Sequence, residues 1–131
     1  MKRMNNWLNT DIGLLILRIF AGALMLIMHG LQKLFSWERL FHSFSDPLGL
    51  GSEISYILTV FAEVLCSFLV IIGYLSRYAV IPLIITMLVA AFIVHGNDPW
   101  PQKEMALIYC SIFITLFFTG PGRYSIDKLR K

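Results

Sequence analysis

The sequence predicts an all-α protein: a four-helix transmembrane bundle with a short interfacial helix between its first and second spans. Three observations carry that prediction. Of 131 residues, 57% are hydrophobic and only 15% charged, a balance rare in a soluble domain of this size and suited to one integral membrane domain over 1–131. The apolar residues fall into four runs, about 11–34, 53–73, 77–95 and 104–119, parted by clusters of Gly, Pro, Asn and Asp. Finally, the polar residues inside the runs recur at steps of three and four, which gathers them on one helical face.

The first run, DIGLLILRIFAGALMLIMHGLQK, follows Asn9, Thr10 and Asp11, any of which suits a helix N-cap. Arg18, Gly22, Met25, His29, Gln32 and Lys33 lie on one of its faces, and Leu, Ile, Phe and Ala on the other. A charge on an isolated helix in hydrocarbon costs on the order of 3 kcal/mol, so the polar stripe calls for cover by other helices. The preceding segment is short and basic, but Arg18 interrupts the apolar run and no small-residue cleavage site follows, which points to a retained helix and not a removed signal peptide.

Residues 35–50, FSWERLFHSFSDPLGL, mix Phe35, Trp37, Leu40, Phe41 and Phe44 with Glu38, Arg39 and His42, as in a short helix lying in the headgroup layer. Asp46-Pro47, Gly49 and Gly51 end it. The second run carries Glu63 alone among charges, on a face shared by Tyr56, Thr59, Cys66, Ser67 and Tyr74. The turn at 73–77 is short, so the third helix is its antiparallel neighbour. That helix is uncharged until His95, and Pro82 falls in its first turns, where a missing donor matters least. After the Pro-rich 96–101 loop, the fourth run carries Glu104, Ser111 and Thr115 at compatible spacing and stops at Gly120-Pro121-Gly122.

Four spans put both termini on one side. Lys2, Arg3, Arg77, Arg123, Lys128, Arg130 and Lys131 gather at the ends and in the middle turn, whereas the opposite loops hold Lys33, Arg39 and Lys103 beside five carboxylates. The positive-inside rule then sets both termini in the cytoplasm. The net charge of +3 is too small and scattered for nucleic-acid binding. Cys66 and Cys110 lie in separate apolar runs with no CxxC pattern and read as small buried hydrophobes.

On this topology Arg18 and Glu63 fall within about a turn of one level near mid-membrane, and an Arg18–Glu63 ion pair is the least costly account of two buried charges. A second polar layer sits near the outer surface: His29, Gln32 and Lys33 close the first helix, His95 closes the third and Glu104 opens the fourth. These five are the candidate ligand-binding residues. Snorkelling into headgroups is the competing account of such helix-end groups. Three ligands from three helices lack diagnostic metal spacing, so no metal site is expected.

LLILRIFAGALMLIMHGLQKLF, AEVLCSFLVIIGYLSR, the loop from His95 to Glu104 and TGPGRYSID, taken in order, resemble the DoxX family of small bacterial membrane proteins. The family's helix-1 Arg and terminal HG-x-x-K fall on Arg18, His29, Gly30 and Lys33. Its Ala-Glu and its Gly before an Arg turn fall on Ala62, Glu63, Gly73 and Arg77. Its closing residues fall on His95, Glu104, Gly120, Pro121, Gly122, Ser125 and Asp127. Cys66-Ser67 stand where the family usually has glycines, and the 96–101 loop is more compact than in many members.

The resemblance implies a membrane subunit linked to quinone-dependent oxidation of sulfur compounds, or to oxidoreductase complexes that handle oxidative stress. On that reading the polar interior holds a quinone head group, with His29 and His95 hydrogen-bonding its oxygens or moving protons. No haem, iron–sulfur or flavin signature is present and no intrinsic cofactor is expected, so a partner subunit must carry the electrons. The alternative is a non-enzymatic scaffold or assembly protein, or a small-solute transporter, using the same polar stripe. Lipid is the common partner of both readings, and both leave room for a homo-oligomer.

Overall fold

The computed structural model describes the backbone of residues 2–130 and side chains from residue 10 onward; Lys131 and the side chains of Lys2 and Arg3, invoked above for topology, lie outside the described residues. The protein is all-helical. Helix α1 runs Lys2–Met25, passes through a π-helical turn at Leu26–Gly30 and continues over Leu31–Phe35. A single turn, α2 (Trp37–Leu40), stands for the expected interfacial helix. Helices α3 (Ser52–Ile72), α4 (Ser76–Val94) and α5 (Trp100–Thr119) complete the bundle, and a last turn, α6 (Ile126–Leu129), closes the chain.

Among the described residues three helices are long and apolar enough to cross a membrane: Thr10–Phe35, Ser52–Ile72 and Ser76–Val94. The fourth, α5, is about 30 Å long at ~1.5 Å per residue but carries Lys103 and Glu104 in its first turns. The N-terminal boundary of α1 differs from expectation. The helix already begins at Lys2 and runs through Asn9-Thr10-Asp11, and the Asp11 carboxylate, set within it, accepts the Arg123 backbone N–H at 3.0 Å.

Between helices in lipid there is little hydrophobic drive, so close packing by small residues decides which faces meet. Helix α1 packs on α3 and α4 packs on α5. Gly22 lies against Ile71 and the Ser67 carbonyl, and a Cβ on Gly30 would collide with the Glu63 backbone. The buried core adds Ala21, Met25, Ala62, Cys66, Val70, Leu83 and Phe113. Ile16, Phe20, Leu24 and Ile27 stand exposed on the opposite side of α1, as a lipid-facing stripe should. Cys66 and Cys110 are buried and free.

Candidate functional site

The two charges expected to pair do not meet. Arg18, 1% exposed, donates four hydrogen bonds, all to backbone carbonyls: Nε to Val70 at 3.0 Å, Nη2 to Ile71 at 3.0 Å, and Nη1 to Pro121 at 2.6 Å and Tyr124 at 3.0 Å. Val70 and Ile71 lie in the last turn of α3, where carbonyls lack the i+4 donor of a continuing helix and the helix dipole is negative, so a planar cation suits them. Arg18 lies about 18 Å along the axis from Gly30, the residue that touches Glu63, at ~1.5 Å per residue. It reaches the end of α3 at Val70 and Ile71, about two turns beyond Glu63 at ~3.6 residues per turn.

The C-terminal segment completes this knot. Gly73 caps α3 in the left-handed conformation at φ +74°, its N–H returning to Leu69 and Val70. A Cβ there would strike Ser125. Two residues on, Leu75 holds φ +50°, unfavourable for a bulky residue. The Asp127 carboxylate fixes it by accepting the N–H groups of Leu75 at 2.8 Å and Ser76 at 3.0 Å, while Gly73 accepts the Asp127 N–H at 2.9 Å. The Gly-Pro-Gly-x-x-Ser-x-Asp close is thus a clasp joining the middle of α1, at Asp11 and Arg18, and the start of α4 to the end of α3.

Glu63, 3% exposed, pairs with Lys33. The ammonium lies 3.0 Å from Oε1 and 2.9 Å from Oε2. Only the contact to Oε1 has hydrogen-bond geometry, so buried Oε2 retains acceptor capacity. The π turn explains why Lys33 and not Gln32 faces α3. An i→i−5 bond from the Leu31 N–H to the Leu26 carbonyl inserts one residue. That rotates the rest of α1 by about 100°, one residue's share of a 3.6-residue turn. Gln32 is exposed. Tyr56 locks the same end, its hydroxyl donating to the Lys33 carbonyl at 2.7 Å.

Around this pair opens a cavity of about 540 Å³, walled by α1, α3, α4, α5 and the 44–50 loop. Its polar lining includes His29, Lys33, Thr59, Glu63, Thr86, His95 and Tyr109; Met25, Leu58, Met87 and Met105 are among its apolar walls. His29 packs edge-on against Tyr109 at 5.7 Å between ring centroids, and both lie within electrostatic reach of Glu63. His95 binds Asp98 through Nδ1 at 2.8 Å, which orients the ring and leaves Nε2 uncommitted. All three π turns, at Leu26–Gly30, Phe61–Cys66 and Ala90–Val94, border this cavity; they contain His29 and Glu63 and end beside His95. Such turns concentrate at functional sites.

Of the five expected ligand-binding residues, then, His29, Lys33 and His95 meet at one cavity. Gln32 does not, and neither does Glu104, which is exposed in an outer groove with Trp100 and Leu107. Its neighbour Lys103 turns inward instead, donating to the Gly96 carbonyl at 3.2 Å beneath Trp100. Ser111 and Thr115 also face outward and satisfy themselves on the Ile108 and Ser111 carbonyls of their own helix. The site gains residues that sequence reasoning did not assign to it: Glu63, set apart as Arg18's partner, together with Tyr109 and Thr86. Among the described residues no three His, Cys, Asp or Glu side chains form a cluster able to hold a metal ion.

A sequence model of the DoxX family matches residues 13–96. Two uncharacterized proteins of Haemophilus influenzae are similar to the chain. One is 28% identical, covering 95% of this chain and 87% of its own length; the other is 30% identical, covering 88% of each. An uncharacterized membrane protein of Mycobacterium tuberculosis is 27% identical over 86% of this chain and 77% of its own. No solved structure matches the chain significantly.

Proposed function

The chain belongs to the DoxX family, and from that premise we propose that it is the membrane subunit of a quinone-linked redox system, its cavity taking the quinone head group. The observation that carries the proposal is a buried carboxylate with spare acceptor capacity, Glu63 Oε2, in the wall of an otherwise largely apolar cavity inside a membrane protein. A quinone supplies two-electron chemistry coupled to two protons, with carbonyl oxygens that accept hydrogen bonds on an apolar ring. Lys33, His29 and Tyr109 are the donors to such oxygens. Glu63 Oε2 is the acceptor for a hydroxyl of the reduced form, and Met25, Leu58, Met87 and Met105 suit the ring and tail. His29 and His95 are the imidazoles of the lining, able to relay a proton through their two ring nitrogens. Electrons come from a partner subunit, since this chain carries no motif for a redox centre.

Orientation follows from charge. Arg77, Arg123, Lys128 and Arg130 gather at the end that holds the C-terminal clasp, while Lys33 and Lys103 at the other end are engaged with Glu63 and with Gly96 and Trp100. This asymmetry supports cytoplasmic termini in a bacterial inner membrane, with the cavity toward the outer leaflet.

The test is binding of a short-chain quinone analogue to the purified protein in nanodiscs, with extractable quinone measured alongside. His29→Ala is expected to weaken binding about tenfold, the loss of one hydrogen bond to a polar head group, while melting stays near wild type because the cavity end can be rewetted. His95→Ala should act in the same direction. Unchanged analogue binding in both variants, with no quinone copurifying, would refute the reading in favour of a scaffold.

A further inference from the structure

At the opposite end of the bundle, independent of the quinone cavity, we infer a binding site for a phosphate oxyanion, supplied by the head group of an anionic phospholipid. A second cavity of about 400 Å³ lies between the start of α4 and the C-terminal clasp. Arg77, Lys128 and Arg130 border it, with Asp127 as its one carboxylate. Asp127 is committed to the Leu75 and Ser76 N–H groups, and among the described residues none of the three cations forms an ion pair. The Arg77 guanidinium lies against Gly120 and spends one long bond, 3.4 Å, on the Phe118 carbonyl, so most of its donors stay available. Arg130 stacks over Tyr74 at 5.0 Å, which positions its charge without neutralising it.

The observation that turns a basic patch into a site is Ser76. It is 2% exposed, lines this cavity, and its buried hydroxyl has no hydrogen-bond partner. A buried hydroxyl left unpaired is costly, and an acceptor entering the cavity relieves it. Three cations and a donor hydroxyl fit a phosphate, and the guanidinium fork suits its paired oxygens.

Location selects the lipid source. The cavity begins where the Ser76–Val94 span begins, and Tyr78 in its wall, with Phe118 beside it, is more than 70% exposed, so apolar surface for acyl chains adjoins the charged mouth. A phosphatidylglycerol head group brings the oxyanion with no cation of its own; phosphatidylcholine brings the same oxyanion already paired with choline.

The full chain in nanodiscs tests this. Thermal melting is compared in phosphatidylcholine alone, in phosphatidylcholine doped with phosphatidylglycerol, and in phosphatidylcholine with added inorganic phosphate, alongside competitive lipid binding by native mass spectrometry. Wild type should melt higher with phosphatidylglycerol than in phosphatidylcholine alone and retain it preferentially. The double change Lys128→Gln with Arg130→Gln, on an exposed terminal turn remote from the core, should melt as wild type in phosphatidylcholine. It should lose preference by about fivefold per charge removed, the ~1 kcal/mol that one basic residue contributes near a membrane surface. Ser76→Ala should lower affinity for phosphatidylglycerol without changing net charge, which a diffuse basic surface would not do. Equal stabilisation by inorganic phosphate keeps the oxyanion site but overturns its assignment to lipid. No preference in wild type, or full preference in the double variant, overturns the site.

Discussion

Replacing either member of the Lys33–Glu63 pair should have unequal consequences, because the two groups are unequally buried. Lys33→Leu strands the Glu63 carboxylate, whose side chain is 3% exposed, and the cost of an unpaired buried charge is on the order of 3–5 kcal/mol. Glu63→Leu leaves an ammonium that is already 25% exposed, on a flexible stem that can snorkel toward the headgroups. Its cost should be the loss of one charge-assisted hydrogen bond, about 1.5–3 kcal/mol. The double change removes both charges and fills the space with apolar atoms, which is often near neutral. At roughly 3–5 °C per kcal/mol for a chain of this length, Lys33→Leu should lower the melting temperature in detergent by about 10–20 °C and Glu63→Leu by less. The double variant should recover most of the loss. A second cycle gives the contrast: Arg18→Leu with Glu63→Leu should be additive within about 0.5 kcal/mol, as for sites that share no partner. A double Lys33/Glu63 variant no better than the sum of its singles, or coupling between Arg18 and Glu63, would refute this assignment of partners.

Arg18→Lys keeps the charge but cannot reach four carbonyls of two segments; a loss of about 2–4 kcal/mol is expected, read as a lower melting temperature, with faster proteolysis of the C-terminal segment. Gly30→Ala drives a methyl group into the Glu63 backbone, so it should cost about 1–3 kcal/mol and weaken analogue binding, because Lys33 moves with α1; unchanged melting would mean the helices can part freely there. The Asp46 carboxyl is held below the usual carboxylate range, first by the Gly51 N–H and also by Ser55 and the Leu50 and Gly49 N–H groups. A depressed carboxylate contributes order above its unfolded pKa and loses it as pH falls through the folded value. Amide exchange in the 41–52 segment, corrected for intrinsic rates, should therefore stay protected at pH 5 and rise only below ~pH 4. Asp46→Asn should expose the segment at all pH values.

The helices were legible because spans of apolar residues cut by Gly and Pro leave few alternatives in lipid. Their phase was not. A π turn adds one residue without any marked residue type, so periodicity carried past Gly30 could not choose between Gln32 and Lys33. In α5 every face is apolar enough for lipid, and its scattered polar groups suggested an inward face. Ser111 and Thr115 can satisfy themselves on their own helix and so tolerate lipid, whereas Cys110, Phe113 and Leu116 form the buried stripe. The partners of Arg18 are not legible in the sequence, because backbone carbonyls at a helix end leave no signature in composition. The Gly-Pro-Gly close was visible as a motif, but only the fold shows it wrapping Arg18.

The two ends of the bundle are built on opposite principles. At the clasp, Arg18 and Asp127 spend their hydrogen bonds on backbone from distant segments, an arrangement that fixes α1, α3 and α4 relative to one another. At the cavity, Glu63 Oε2 and His95 Nε2 keep spare capacity, and each of the three long spans is widened by a π turn. Gly22 and Gly30 hold α1 against α3 along its length. Access to the cavity therefore cannot come from parting α1 and α3 without breaking those contacts and the Lys33–Glu63 pair. The walls that remain are α4, α5 and the 44–50 loop, which Asp46 ties to α3 through Ser55 at 3.0 Å. Of these the loop is held by exposed bonds, so a ligand that enters from the headgroup layer should do so by loosening Asp46.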